Sequence, residues 1–345
     1  MRTIDFRVDV LRAGVPVGTL TFPESSPPSI SCDADAEIAM TFRGLFLRSP
    51  VMDYLNDELR PVIIIDGAET PAGVFRVGTK LETRNAAGAV YDQLECYDRA
   101  CLLRWAKLEQ RDFWPAGTSY EVVISHYLQA VGLTRVSFTP TDHVLQSDRE
   151  DWDIGTPYLT IVNDLLAEIN YQTIWFDIRG TAILRPWASA SAASITHTYG
   201  VHDGARLIAP ELRTELDIFD RPNVIICILE NPEYPEPLVA TAVNDSPSSA
   251  LSTIRRGIRI PQVVKVDNIA DADELQTYAN RLRDQAMQTA ERLTMHSGIQ
   301  PGHNVTDTVA LVGLEREGVY RETGWSIPLC AGSYMTHELE RTVMI

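Results

Sequence analysis

Hydrophobic and polar residues alternate along most of the first hundred residues, which is the period of a half-buried β-strand. Short segments rich in Gly, Asn and Asp separate the alternating stretches, as in antiparallel β-structure. The predicted strands are Thr3–Val10, Pro16–Phe22, Glu37–Leu47, Pro61–Asp66, Gly73–Thr83 and Val90–Tyr97. Such a succession predicts a barrel or a sandwich.

The pattern changes to a helical period after this region. Thr118 and Glu121 predict a capping box, and Gly132 predicts the end of the helix that they open. A second helix is predicted after Thr156 and Pro157, which suit a cap and a first helical residue. Its apolar face is formed by residues at helical spacing, namely Leu159, Val162, Leu165, Leu166 and Ile169.

A tight hairpin is predicted directly after this second helix. Alternation returns around Trp175, residues 179–180 supply the turn, and the chain runs back toward Pro186. The segment Leu159–Trp187 contains no catalytic side-chain pattern, so we interpret it as part of a scaffold. With the helix before it, this segment predicts a small α+β unit over residues 106–200.

A second β region follows residue 207 and is interrupted by one long helix. Its predicted strands are Glu211–Phe219, Asn223–Glu230, Leu238–Ala242, Thr253–Ile260, Val305–Gly313 and Tyr334–Met344, with a proline-rich connection at Asn231–Pro237. Asp271 and Glu274 predict a capped helix start, and an apolar face extends to Leu293. The predicted fold class is therefore α+β and mainly β, with a helix at residues 271–293.

Composition and charge narrow the possible partners. A chain of 345 residues that is 45% hydrophobic has room for two or three domain cores. Its 30 Lys and Arg against 47 Asp and Glu give a net charge of −17, which opposes binding to a phosphate backbone.

No run reaches the roughly 18 apolar residues that a membrane helix needs, and the N-terminus alternates like a strand. We expect neither a membrane-spanning segment nor a secretory signal.

Motifs for known chemistries are absent from the sequence. It contains no nucleophile elbow, no zinc-protease helix motif, no phosphate-binding loop and no dinucleotide fingerprint. The cysteines are scattered and predicted to be buried reduced thiols, at Cys32, Cys96, Cys101, Cys227 and Cys330. Among the histidines only His197 and His202 are close in sequence, and we expect a turn or surface role for them rather than metal ligation.

Three weaker patterns leave alternatives open. Asp33, Asp35 and Glu37 alternate like the start of a calcium loop, but a polar strand face is the preferred interpretation because a glycine and a distal glutamate are missing. Glu150 and Asp153, in an acidic loop at residues 147–153, are candidates for the two carboxylates of a glycosidase that degrades the host wall. Dispersed tryptophans motivate a receptor-binding role.

A series of short motifs resembles one family along nearly the whole chain. They are Tyr54–Asp66 (YLNDELRPVIIID), Gly73–Val77, Tyr97-Asp98, Leu159–Trp187, Arg221–Val224, Arg255–Gly257 and Trp325–Leu329. Their order and spacing resemble the central baseplate hub or tail-hub proteins of long-tailed bacteriophages and related prophage particles.

The resemblance implies three domains and a homotrimer. Residues 1–105 and 201–345 are expected to form tube-like antiparallel β-barrel domains, the second with the helix at 271–293, and residues 106–200 an α+β connector domain. The six barrels of a trimeric ring match the symmetry of a hexameric tail tube.

The resemblance also implies partners and a location. The ring is expected to join the tail tube or distal tail protein to a spike or tip protein. Its channel is expected to hold the tape-measure protein and to pass DNA during ejection without binding it specifically. We expect a structural virion protein of the tail baseplate or tip, assembled in the host cytoplasm. No enzyme activity, catalytic residue, cofactor or metal is expected.

Overall fold

The computed structural model describes residues 3–150, 152–188, 190–200, 208–216, 221–229, 237–266 and 272–344. This part of the chain is mainly β with shorter helical segments, which confirms the predicted fold class at that level. Three predictions concern residues outside the described ranges. They are the turn or surface role of His202, the connection at residues 231–236 and the helix cap at Asp271. None of the described helices is long and apolar enough to span a bilayer.

The strands and helices have the following bounds. The strands are β1 (Ile4–Arg12), β2 (Val15–Leu20), β3 (Ser29–Asp33), β4 (Met40–Leu47), β5 (Glu58–Ile65), β6 (Ala68–Pro71), β7 (Phe75–Arg84), β8 (Val90–Asp98), β9 (Val136–Phe138), β10 (Trp175–Phe176), β11 (Ala182–Leu184), β12 (His197–Gly200), β13 (Ile208–Leu216), β14 (Val224–Leu229), β15 (Leu238–Val243), β16 (Pro261–Val266), β17 (Gln288–Gly298), β18 (Thr308–Val312), β19 (Gly318–Pro328) and β20 (Tyr334–Met344). The helices are α1 (Ala100–Trp105), α2 (Tyr120–Ala130), α3 (Tyr158–Glu168), α4 (Thr253–Arg256) and α5 (Ala272–Ala286), with a short 3₁₀ turn at Ala192–Ser194.

The chain divides into two compact units. The first contains Met1–Glu211 and Met295–Leu339, and the second contains Leu212–Thr294 and Glu340–Ile345. The boundaries fall inside β13, β17 and β20, so each of these strands contributes residues to both units. The three-domain division at residues 105 and 200 stays a prediction.

The main sheet of the first unit joins strands from both ends of the sequence. Its order is β20-β19-β3-β4-β8-β7-β5-β1-β2, with β18 beside β19, β12 beside β18 and β6 beside β5. Burial alternates along the strands because successive residues point to opposite faces. In β8, for example, Leu94 and Cys96 are buried, whereas Glu95 between them is only half-buried. Among the described strands this order does not close into a barrel.

A second core lies in the helical part of the first unit. It is formed by α1, α2, α3 and the small sheet β10-β11-β9, and we call it the helical core. The predicted apolar face of α3 is confirmed, because Leu159, Val162, Leu165 and Leu166 are all buried there. The predicted hairpin is also confirmed, since β10 and β11 pair antiparallel around a turn in which Gly180 has φ +73°.

The second unit contains a three-stranded sheet and the longest of the described helices. β14 is the central strand, antiparallel to β15 and parallel to β16. α5 packs on β14 and β15 through Leu275 and Ala279, which are buried with Ile225, Cys227 and Leu229. A helix laid across one face of a small sheet buries the apolar side of both.

The predicted strand at Thr253–Ile260 is wrong, because its first residues form α4. The Ser252 hydroxyl oxygen caps this turn by accepting a hydrogen bond from the backbone N–H of Arg255 at 3.2 Å. Gly257 ends it in the left-handed conformation, at φ +66°. The strand β16 therefore begins only at Pro261.

Two helix predictions also require correction. The helix predicted at residues 271–293 ends at Ala286, because every second residue from Glu291 to Ser297 is buried in β17, which is the period of a strand. The N-cap of α2 is Ser119 rather than Thr118. Its hydroxyl oxygen accepts a hydrogen bond from the backbone N–H of Glu121 at 3.2 Å, whereas the Thr118 hydroxyl donates to Pro115 O.

Candidate functional site

Three histidines from distant parts of the sequence meet in the interior of the first unit. His197 opens β12, His303 lies between β17 and β18, and His337 lies on β20. All three are buried, with at most 8% of each residue exposed, and two buried carboxylates, Asp307 and Glu322, contact them. We call these five residues the histidine cluster.

Glu322 joins two of the histidines. Its Oε2 lies 2.6 Å from Nδ1 of His303, and its Oε1 lies 2.6 Å from Nδ1 of His337. None of the three side chains is exposed to solvent. Such short contacts are typical of charge-assisted hydrogen bonds, in which a ring N–H donates to a carboxylate oxygen.

The far nitrogens of the same two rings contact hydroxyl groups. Nε2 of His303 lies 2.8 Å from the Tyr199 hydroxyl, and Nε2 of His337 lies 2.8 Å from the Ser297 hydroxyl. The Ser297 hydroxyl also lies 3.0 Å from Gly298 O and donates to it in that geometry. Both rings are therefore fixed at both nitrogens.

The third histidine forms a pair with the second carboxylate. Nε2 of His197 lies 3.1 Å from Oδ2 of Asp307, which also accepts a hydrogen bond from the backbone N–H of Asn304 at 2.9 Å. The ring of His197 stacks on that of His303, with their centroids 3.7 Å apart. His303 thus connects the two halves of the histidine cluster.

Burial dominates the electrostatics of the histidine cluster. Burial raises the pKa of Glu322 above its ordinary value, against the opposing hydrogen bond from His337. Burial also raises the pKa of Asp307, but hydrogen bonds from His197 and the Asn304 N–H reverse this and hold it below its ordinary value. The pKa of His337 is lowered because its charged form loses water.

The donor types of the histidine cluster suit a metal ion better than a reaction on a substrate. Imidazole nitrogens and carboxylate oxygens are ordinary zinc ligands. Two trios have one ligand atom from each residue within 4.8 Å of the others, His303 with Glu322 and His337, and His197 with His303 and Asp307. A substrate needs an accessible group, and these side chains are enclosed.

The prediction for His197 is wrong, because its side chain is buried rather than in a surface turn. One signal in the sequence points to the histidine cluster. On β20 the buried positions alternate as Met335, His337 and Leu339, and on β19 Glu322 takes the same inward position between Tyr320 and Gly324. A histidine or glutamate at an inward position of a strand requires a polar partner inside the protein.

The other acidic candidates do not form a shared site. Asp33 ends β3 and its side chain accepts the backbone N–H of Asp35 at 3.0 Å, so these residues form a turn rather than the predicted polar strand face. Glu37 is paired with Arg104. In the acidic loop Glu150 is exposed, and Asp153 is exposed and paired with Arg111.

The cysteines and tryptophans are mostly structural. Four of the five cysteines are buried and all five are unpaired, which confirms free thiols at these positions, while Cys330 is half-buried. Trp152, Trp175 and Trp325 are buried. Only Trp105 and Trp187 expose about half of their surface, at 50% and 51%.

Two motifs of the family resemblance meet in the second unit. The buried Asn223 side chain donates to Ile258 O at 2.9 Å and accepts from the backbone N–H of Ile260 at 2.7 Å. Arg256 donates to Arg221 O at 3.2 Å. The segments Arg221–Val224 and Arg255–Gly257 thus anchor the start of β14 beside the start of β16. These contacts hold the backbone of the two segments in place.

The sequence matches no protein-family model and no curated protein. The structure is similar to the tail protein of Neisseria meningitidis MC58, with a TM-score of 0.60, 15% identity and coverage of 98% of this chain and 97% of that one. It is also similar to the 43 kDa tail protein of prophage MuSo2 from Shewanella oneidensis, with a TM-score of 0.61, 10% identity and coverage of 98% of both chains.

A third similar structure comes from a larger assembly. A chain of the Francisella PdpA-VgrG complex matches with a TM-score of 0.59 and 9% identity, over 99% of this chain and 58% of that one. At such low identity these matches establish the fold and not the function. The chain has the fold of phage tail proteins over nearly its whole length, which agrees with the tail-hub resemblance of its sequence.

Proposed function

We propose that the chain is a structural tail protein, the hub that joins a tail tube to a central spike or tip. The observation that carries this proposal is the similarity over 98% of the chain to two tail proteins from different bacteria. Both tail proteins are also covered almost end to end, at 97% and 98%. The order of the hub-like sequence motifs supports the same role independently of the coordinates.

The hub is a homotrimeric ring in this proposal. Residues 1–105 and 201–345 form its tube-like domains, and residues 106–200 connect them. Three subunits present six tube-like domains, which meet the hexameric symmetry of a tail tube. The confirmed α3 and hairpin supply a rigid connector, because their buried residues form the helical core.

The ring has partners on both sides and a channel between them. A tube or distal tail protein binds above, and a spike or tip protein binds below. The fold shared with a chain of the PdpA-VgrG complex supports a spike-type partner. The tape-measure protein occupies the channel before ejection and DNA passes afterwards, and the net charge of −17 favours passage without binding.

The chain acts without catalysis in this proposal. The fold shared with tail proteins supports a tail location. In this proposal assembly takes place in the host cytoplasm, where the free thiols stay reduced. Purified protein incubated with cell-wall polysaccharide is expected to release no reducing ends. Release that disappears in Glu150→Gln, with Glu121→Gln in the exposed first turn of α2 as the matched control, would instead establish a wall-degrading enzyme.

The direct test is the mass of the assembly in solution. Light scattering after gel filtration is expected to show three copies of the 38.5 kDa chain, either as the protein alone or within a complex formed after its tube or spike partner is added. A chain that stays at 38.5 kDa and binds neither partner contradicts the hub. Bovine serum albumin in place of each partner controls for nonspecific association.

A further inference from the structure

The histidine cluster contains two buried carboxylates whose partners, among the residues that the structure describes, include no Arg or Lys. Among the described residues the ion-pair partners of Glu322 are His303 and His337, and the partner of Asp307 is His197. Two ionised carboxylates with neutral histidines leave a charge of about −2 in the interior, which is costly unless it is balanced. Two protons or one divalent cation supply that balance.

We propose that His303, His337 and Glu322 bind a structural Zn²⁺ ion, with His197 and Asp307 completing its surroundings. The two Nδ1 atoms and the Glu322 carboxylate have the donor chemistry that zinc prefers. One ligand atom of each residue lies within 4.8 Å of those of the other two. The site goes beyond the proposed hub function and does not depend on it.

The present distances require only a small adjustment. Zinc ligands at about 2.0–2.1 Å in a tetrahedral arrangement lie about 3.4 Å from one another. The two Nδ1 to oxygen contacts of 2.6 Å must therefore lengthen on binding, by roughly 0.8 Å.

The outer contacts of the two rings fit metal ligation. A histidine that binds zinc through one nitrogen donates from the other to a nearby oxygen, which fixes its orientation. The Tyr199 hydroxyl at 2.8 Å from His303 Nε2 and the Ser297 hydroxyl at 2.8 Å from His337 Nε2 occupy these positions. Both outer partners are therefore already in place for Nδ1 ligation.

Ser297 favours the tautomer of His337 in which Nε2 carries the proton and Nδ1 can bind a metal. Its single hydroxyl hydrogen is within reach of two acceptors, Gly298 O at 3.0 Å and His337 Nε2 at 2.8 Å. With zinc on Nδ1 of His337, Nε2–H donates to Ser297 and Ser297 donates to Gly298 O. The Ser297 hydroxyl, Gly298 O and Nε2 of His337 then all have hydrogen-bond partners, and His337 is not a charged imidazolium.

The segment that carries His303 and Asp307 contains further unsatisfied oxygens. Asn304 Oδ1 and Thr306 Oγ1 are buried and have no hydrogen-bond partner among the described residues. Thr306 also has φ +60°, a conformation that is uncommon for a residue with a branched side chain. Buried oxygens and a strained backbone directly after a candidate ligand are expected where a segment is shaped around an ion.

Metal content of the full chain tests the proposal first. Protein loaded with Zn²⁺ and dialysed against metal-free buffer is expected to retain one zinc per chain, and Co²⁺ in its place is expected to give visible absorption that the metal-free chain lacks. EDTA is expected to lower the unfolding temperature. A chain that retains no zinc, and whose unfolding temperature responds to neither Zn²⁺ nor EDTA, overturns the proposal.

Variants locate the ion. His337→Gln is expected to lose retained zinc, whereas His296→Asn should keep it, because His296 is half-buried on β17 and contacts Thr336 outside the histidine cluster. Tyr199→Phe keeps the ring and removes one outer partner, so its zinc affinity should fall about 10- to 100-fold in competition with a chelator. If His337→Gln retains as much zinc as the wild-type chain, or if a folded Tyr199→Phe chain has unchanged zinc affinity, zinc binds elsewhere and the proposed site is contradicted. If His337→Gln does not fold, Tyr199→Phe alone decides.

Discussion

The helical core and the histidine cluster are both buried in the first unit, but different forces hold them together. The helical core consists of apolar side chains such as Leu165 and Val162, which are fully enclosed and stabilised by burial and close packing. The histidine cluster has the same degree of burial and consists of ionisable groups. Its stability depends on matched donors, acceptors and charges, so losing one member affects all the others.

This contrast determines how each region responds to substitution. An apolar core loses the transfer energy of the removed atoms and retains a cavity, so the cost depends on volume. A charged cluster that loses one partner retains an uncompensated buried charge, so the cost depends on the group that remains. Size-matched replacements should therefore be tolerated in the helical core and harmful in the histidine cluster.

Replacement of His337 by Gln should have the largest effect. Glu322 then keeps a buried carboxylate with one ring partner, and breaking such a pair typically costs about 3–5 kcal/mol. Urea denaturation at neutral pH measures this loss. His296→Asn, outside the histidine cluster, is the control. If His337→Gln lowers the free energy of unfolding by less than this control does, His337 does not stabilise the histidine cluster through Glu322.

Leu165→Ala should weaken the helical core by a similar or slightly smaller amount. Leu165 is completely buried on α3, and such truncations cost about 2–5 kcal/mol. Leu165→Met should cost less than about 1.5 kcal/mol because the volume is kept. The exposed Val122 of α2 is the control, since Val122→Ala should change the free energy of unfolding by no more than about 0.5 kcal/mol. An equal loss for Met and Ala at position 165 would contradict a volume-dependent core.

A carboxylate paired with arginine should respond to pH in a predictable direction. The Arg12 guanidinium donates two hydrogen bonds to Asp57, at 2.9 and 2.8 Å, and holds the pKa of Asp57 below its ordinary value. A lowered folded-state pKa contributes stability above the unfolded-state pKa, and this is lost as pH falls through the folded-state value. At pH 7 the wild-type chain should unfold at a higher urea midpoint than Asp57→Asn. This difference between the two midpoints should shrink below about pH 4. A difference that stays constant to pH 3 would contradict this assignment.

The exposed ion pair between Arg111 and Asp153 should contribute least. Both side chains face solvent, where such pairs are worth about 0–1 kcal/mol. Asp153→Asn should therefore leave the urea midpoint nearly unchanged at pH 7 and at pH 3. A marked change would show that the acidic loop has a structural role that its exposure does not indicate.

The parts of the fold that were predicted correctly have regular local patterns. α3 and the hairpin after it were predicted because the apolar spacing and the turn glycine lie within thirty residues. Only the helix start was wrong, because Pro157, predicted as the first helical residue after a Thr156 cap, is itself the N-cap. Predictions failed where two periods overlap. Ala290 and Leu293 continue the helical spacing of α5, but the alternation of β17 determines their structure.

The histidine cluster was missed because its members are distant in the sequence. His197 and Asp307 are 110 residues apart, and they approach because β12 pairs with β18. No local period specifies that pairing. The inward positions of Glu322 and His337 on their strands predict that each needs a polar partner, but they do not identify it.

A cryo-electron microscopy reconstruction of tail particles that carry this chain would test the hub most directly. We expect three copies arranged as a ring between the tail tube and the spike, with a continuous channel on the axis. A map that places the chain elsewhere in the particle, or at the tube end in a number that is not a multiple of three, would contradict the proposed hub.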